Sequence, residues 1–183
     1  KTSNYVLEIA SNDGTFLKEF KNNGHNILGV DPAKNIARSA NLKGIKTLPE
    51  FFNYNLSKKI KKNFSPNLIF ARNVIPHVSQ LKSIIKGMEN LSNDETSVVI
   101  EFHYAAEILK DIQYDSIYHE HIYYFTIESI SKIFNSFNFH AFDVFESPIS
   151  AGSLVIFFSK KRKKKSQKLI ELIKKEKKNK INN

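Results

Sequence analysis

The chain contains no cysteine among its 183 residues, which excludes disulfide bridges and thiolate-ligated metal centres and permits a reducing compartment. No unbroken apolar run approaches the roughly 18 residues of a membrane span, and the first residues lack the charged-then-apolar layout of a secretory leader. The expectation is a soluble, cytoplasmic chain that meets no membrane. Glycine is scarce, with 6 residues. Where a dinucleotide-binding turn would need it, after the first strand, Ala10, Asn12 and Thr15 stand instead, which weighs against a nicotinamide site. No internal repeat is visible. Residue 1 is Lys rather than Met and a core strand starts within a few residues, so the chain is expected to be cut from a longer protein.

What is abundant is apolar and aromatic. With 41% hydrophobic residues, 15 Phe and 7 Tyr, burial can offset chain entropy, and the length suits one domain with a continuous core. The net charge of +10 suggests nucleic acid until its location is read. Residues 160–183 hold 12 of the 28 Lys+Arg and 2 of the 18 Asp+Glu, leaving 16 of each sign in residues 1–159. A nucleic-acid domain spreads its basic residues over a folded face; here they form a terminal run, so no specific nucleic-acid partner is expected. The division is therefore a core at 1–159 and a basic tail or linker helix at 160–183. Leu169, Ile170, Leu172 and Ile173 fall at helical spacing there, so the start of that helix can pack against a partner.

Hydrophobic periodicity predicts strands at 5–10, 26–31, 45–48, 67–71, 97–102, 140–145 and 154–158. Helices are predicted between them: 14–23, 33–40, 51–60, one marked by Leu81, Ile84, Ile85 and Met88, one beginning near Tyr104, and 127–137. The helix near Tyr104 is expected to bury Ala105, Ile108, Leu109 and Ile112. The last two strands lie too close for a helix between them. The pattern is that of an α/β, doubly wound, mostly parallel sheet with an antiparallel edge.

Two segments carry candidate chemistry. In Val6-Leu-Glu-Ile-Ala-Ser-Asn-Asp-Gly-Thr15 an apolar strand runs into a tight turn that opens a helix, and Asp31 follows at the end of the next strand. The alternate residues Ala10, Asn12 and Gly14 approximate the glycine-rich turn of class I (Rossmann-like) methyltransferases, with Asn tolerating the left-handed backbone that glycine otherwise supplies. Asp31 could then accept from both ribose hydroxyls of S-adenosyl-L-methionine. Glu8, inside the strand, could orient the turn or the methionine amino group. The plainer alternative is an ordinary strand-to-helix turn. The second segment, Tyr118-His-Glu-His121, supplies acid and base side chains. If it is extended, His119 and His121 share a face and could ligate a metal with Glu120 nearby, although no third ligand is close and no metal is expected. Alternatively Tyr118, Tyr123, Tyr124 and Phe125 are simply buried. His77 reads equally as a loop histidine or a catalytic one, His103 and His140 as structural, and His25 as surface.

These segments together resemble the S-adenosylmethionine-dependent sugar C-methyltransferases that act on nucleotide-linked deoxy-keto sugars. The resemblance covers about residues 5–160. It rests on Glu8-Ile-Ala-Ser-Asn-Asp-Gly-Thr15, Gly29-Val-Asp-Pro32, Asn73-Val-Ile-Pro-His77, Asp115-Ser-Ile-Tyr-His-Glu-His121 with Tyr124-Phe125, and Gly152-Ser-Leu154. It implies a cofactor site drawn from Glu8, Ala10, Ser11, Asn12, Asp13, Gly14, Asp31, Pro32 and Asn73. It further implies that Tyr118, Glu120 and His121 line the sugar end, with His121 the proton-abstracting base and His77 nearby. Methylating carbon requires an enolate, so a proton next to a carbonyl must leave and charge on oxygen must be stabilised. Tyr118 could donate to that oxygen, and Glu120 could fix an imidazole tautomer or bind a sugar hydroxyl. Family members also carry a cysteine-rich zinc domain before the core and another domain after it, both expected to be missing from this stretch of chain, and a His-Gly-Gly sequence where this chain has Ser150-Ala151-Gly152. Small-molecule O- or N-methyl transfer and a noncatalytic binding module are the alternatives.

Overall fold

A computed structural model describes residues 4–148, 152–179 and 181. Its seven strands form one sheet in the order β3-β2-β1-β4-β5-β7-β6. Two compact units make up the chain, Lys1–Ala71 with Gln80–Val98, and Arg72–Ser79 with Val99–Asn183. The residues after 159 fall within the second of these units.

The first unit is built around β1 (Tyr5–Ile9), whose Val6, Leu7, Glu8 and Ile9 are all buried. A strand covered on both faces reads as a continuous apolar run rather than an alternating one. It pairs in parallel with β2 (Asn26–Val30) on one side and β4 (Leu68–Arg72) on the other, and β2 pairs in parallel with β3 (Thr47–Leu48). The crossovers are α1 (Thr15–Asn22), α2 (Lys34–Leu42) and α3 (Tyr54–Lys61). Leu17 of α1 and Ala40 of α2 close with Val6 and Ile45 into a small cluster on which Phe20, Ile27, Leu68 and Phe70 pack. In α4 (Leu81–Leu91) the buried residues Leu81, Ile84, Ile85, Met88 and Leu91 form one stripe, each worth about 1.5–3 kcal/mol of burial as an upper bound.

The second unit takes in most of β5 (Ser97–His103), α5 (Ala105–Lys110), α6 (Ile127–Asn135), the antiparallel pair β6 (His140–Ser147) and β7 (Ser153–Ser159), and α7 (Gln167–Lys178). Phe134 of α6 stacks on Phe158 of β7, with ring centroids 4.3 Å apart. Helix α5 stops at Lys110, and Ile112 takes a left-handed φ of 52°. Leu109 and Ile112 are therefore exposed, at 63% and 77%, rather than buried as the periodicity predicts. The apolar stripe of α7 finds its cover within the unit. Leu169 and Leu172 are buried, and Glu176, 1% exposed, accepts from the Tyr104 hydroxyl at 2.8 Å and from the backbone N–H groups of Ile127 and Glu128. That carboxylate satisfies the first two amides of α6, while the Thr126 side chain caps the third, that of Ser129. Burial, followed by the Glu176 hydrogen bond, pushes the Tyr104 phenol far up.

Candidate active site

At the end of β1 the backbone turns left-handed three times on alternate residues, with φ of 57° at Ala10, 51° at Asn12 and 79° at Gly14. The spacing read from the sequence is thus a conformational fact, and alanine and asparagine occupy positions that glycine adopts with least cost. The turn is tied down by Asp31, 8% exposed at the end of β2. Its Oδ2 accepts from the Asn12 N–H and its Oδ1 from the Ala33 N–H, both at 2.9 Å. A carboxylate offers about four acceptor positions, so each oxygen retains capacity for one more donor, which suits a vicinal diol. Ser11 is buried against Gly29, where an added Cβ would lie 2.4 Å from the Ser11 Oγ. Those features fit the adenosine end of S-adenosylmethionine.

Other residues assigned to the cofactor lie differently. Asp13 turns to the helix start, its Oδ1 accepting from the Thr15 hydroxyl at 2.7 Å and the Thr15 N–H at 3.1 Å while Oδ2 meets Lys43 at 3.3 Å. The Thr15 bonds, with Lys43 behind them, hold its carboxyl below the ordinary value. Glu8 is fully buried and Pro32 exposed. Asn73, with φ of 50°, donates its N–H to the Glu101 carbonyl at 2.9 Å and lines the cavity of the second unit, not the turn.

That cavity, about 530 Å³, gathers His77, His103, Tyr118 and His121 with Asn73, Gln113 and Asp115. Two distant stretches are stitched together to make it. The Pro76 carbonyl accepts from the Ile122 and Tyr123 N–H groups at 2.9 and 3.2 Å, and His77 Nδ1 lies 2.9 Å from the Glu120 carbonyl. Tyr118 to His121 is a tight turn closed by the His121 N–H on the Tyr118 carbonyl at 3.0 Å. The run is therefore not extended, His119 stays out of the cavity wall, and the metal reading loses its premise. Among the described residues no group of three or more His, Asp or Glu could hold a metal ion. Nor is the aromatic run buried as a whole: Phe125 is, while Tyr118 and Tyr124 are exposed.

The hydrogen bonds fix the tautomers. His121 Nδ1 lies 2.9 Å from the Ser116 carbonyl, which can only accept, so Nδ1 carries the proton and Nε2 presents its lone pair. The Tyr118 hydroxyl donates to that lone pair at 3.2 Å. His77 is held in the same tautomer by the Glu120 carbonyl, and its ring centroid lies 4.7 Å from that of His121. The Glu120 backbone, not its carboxylate, does the orienting, and the carboxylate does not line the cavity. His103, read from sequence as structural, is part of the wall, its Nε2 donating to Gln113 Oε1 at 2.9 Å. No local signal marks it. Its membership depends on a loop folding back on the end of β5.

The strand order and the left-handed turn after β1 define the class I methyltransferase fold. A family model described as methyltransferase domain matches residues 1–143, and the chain belongs to that family. C-methyltransferase NovU of Streptomyces niveus is 32% identical over 153 residues, a match covering 83% of this chain; the chain spans 36% of that relative's length. A putative S-adenosylmethionine-dependent methyltransferase from Listeria monocytogenes superimposes with a TM-score of 0.68 at 11% identity, covering 88% of this chain and 92% of that one. The 1,6-didemethyltoxoflavin-N1-methyltransferase of Burkholderia thailandensis, solved with S-adenosylhomocysteine, gives 0.66 at 13% identity, covering 87% and 72%. Among the described residues no helix is long and apolar enough to cross a membrane.

Proposed function

We propose that this chain is the core of an S-adenosylmethionine-dependent C-methyltransferase whose acceptor is the carbon next to the carbonyl of a nucleotide-linked keto-deoxy sugar. One observation carries the carbon chemistry: the acceptor Nε2 of His121, with Nδ1 tied to the Ser116 carbonyl, in the wall of the cavity. Oxygen and nitrogen acceptors already hold a nucleophilic lone pair. Carbon does not, and needs a base to make one. The relative named as a C-methyltransferase and the motifs shared with sugar C-methyltransferases support the same choice.

When bound, S-adenosylmethionine supplies an electrophilic methyl on a sulfonium. In the proposed reaction His121 Nε2 would take the proton, and the electron pair freed on carbon would be the nucleophile for that methyl group, with S-adenosylhomocysteine as the leaving group. The Tyr118 hydroxyl, which donates to Nε2 at rest, turns to the developing enolate oxygen and leaves the base unencumbered. His77, its Nδ1 held by the Glu120 carbonyl, keeps Nε2 as an acceptor for a sugar hydroxyl. Asp31 holds the ribose.

The test is exchange of the acidic sugar proton in deuterated buffer, followed by NMR on a nucleotide-linked keto-deoxy sugar. His121→Ala should slow exchange by about 100-fold or more and leave the calorimetric affinity for S-adenosylmethionine unchanged. Equal exchange with both proteins would reject His121 as the base, and methyl transfer with no exchange at all would point to an oxygen or nitrogen acceptor.

A further inference from the structure

The second unit has another cavity, about 760 Å³, that shares no lining residue with the histidine pocket. Its floor is apolar, formed by Ile127, Ala141 and Ile173. Five cations converge on it, Lys132, Arg162, Lys163, Lys165 and Lys177, against one carboxylate, Glu128, which is already paired with Lys132 at 2.7 Å. Residues 1–159 hold 16 charges of each sign. Of the twelve cations that follow, four line this recess: Arg162, Lys163, Lys165 and Lys177.

The recess is built rather than accidental. The stretch after β7 returns across β6, pinned where the Ser166 N–H donates to the Phe142 carbonyl at 2.8 Å. Lys163 Nζ sits 4.4 Å over the Phe142 ring. Directly after the pin, the Ser166 side chain caps α7, which brings Ile173 and Lys177 to the same wall. His140 lines the recess too, its Nδ1 3.3 Å from Asn135 Oδ1. Burial, then the field of Arg162, holds its imidazole below the ordinary value. Cations crowded around a partly apolar hollow repel one another, and an anion of high charge density relieves them.

We propose that this recess binds a compact oligophosphate, two or three linked phosphoryl groups carried by a small molecule. The convergence of the cations on a bounded hollow selects it over nucleic acid, which would call for a stripe along an exposed face with aromatic platforms for bases. Arg162 can take two phosphate oxygens at once, and the lysines act as point charges around it. The volume falls within that of small-molecule sites, so the apolar floor can accept an organic body attached to the phosphates. The binding requires no methyl donor, so its failure and that of the methyl-transfer reading are seen in separate experiments.

Calorimetric titration of the full chain with inorganic pyrophosphate and with tripolyphosphate, at about 0.1 M salt, tests it. Saturable one-to-one binding is expected, weakened roughly tenfold or more by the pair Arg162→Glu and Lys177→Glu and unchanged by Lys18→Glu on the exposed face of α1. Should the charge reversals lower the melting temperature, the pair Arg162→Gln and Lys177→Gln replaces them, with a smaller loss in the same direction. Absence of saturable heat with either anion overturns the proposal, as does an equal loss in Lys18→Glu. A single-stranded oligonucleotide that binds more tightly than tripolyphosphate, and tighter with length, also overturns it and assigns the surface to nucleic acid.

Discussion

Gly14 and Gly24 both occupy the left-handed region, at φ of +79° and +83°, but they differ in the room around them. A Cβ at Gly14 would lie 2.5 Å from Ile45 Cγ2 and 2.9 Å from Ile45 Cβ, whereas Gly24 has nothing within 4 Å. Alanine at either position carries the same backbone penalty, about 1–2 kcal/mol. At Gly14 it also meets a branched side chain that is 2% exposed and cannot swing aside, which adds about 1–3 kcal/mol of overpacking. Gly14→Ala should therefore cost about 2–5 kcal/mol and Gly24→Ala about 1–2 kcal/mol. At roughly 2–4 °C per kcal/mol for a chain of this size, thermal melts followed by circular dichroism should fall by about 4–20 °C and about 2–8 °C respectively. Equal shifts would refute the steric argument. So would an Ile45→Ala background in which Gly14→Ala loses as much as before, because removing the obstructing methyls must make the two changes non-additive.

Two further outcomes test the turn. Asp31→Asn replaces one of two acceptor oxygens, each holding a backbone N–H at 2.9 Å, with a donor; calorimetry should show S-adenosylmethionine affinity down about tenfold or more, and unaltered affinity would remove Asp31 from the ribose site. Asp13 is held below its ordinary value of 3.8 by Thr15 and then Lys43, so its contribution to stability is present above that pH and lost as pH falls through the depressed value. Urea midpoints of Asp13→Asn should accordingly decline less than the parent's below pH 3.8, and parallel declines would count against the Thr15 interaction.

The parts of this molecule legible in sequence are those whose physics is local. The apolar run of β1, the stripe of α4 and the alternate left-handed turn at Ala10, Asn12 and Gly14 each declare themselves within a few residues. Helix α5 misleads because it ends before its periodicity can act: Ile112 has the right spacing but lies beyond Lys110, on a reversed backbone. In the histidine cavity, Tyr118, His121 and His77 are marked by a resemblance, but what orients them is the carbonyl of Ser116 and that of Glu120. Backbone groups leave no trace in residue identity, which is why Glu120 is read for its carboxylate. His103 and Gln113 escape for another reason: ten residues separate them, and only the loop's return brings them together. The Ser150-Ala151 departure from the family pattern lies outside the described residues.

Position 176 constrains how this lineage can change. Around it the lysines of α7 can drift, exchanging for one another or for arginine with little effect on the interior. The glutamate cannot follow them. Glutamine keeps one acceptor oxygen but turns an amide nitrogen toward a donor now served by the other, aspartate falls a methylene short, and lysine sets a cation against them. Because Tyr104, one of those donors, also adjoins Phe125 through the Ala105 N–H on the Phe125 carbonyl at 3.0 Å, the apparently expendable lysine-rich end is tied to the segment that bears His121.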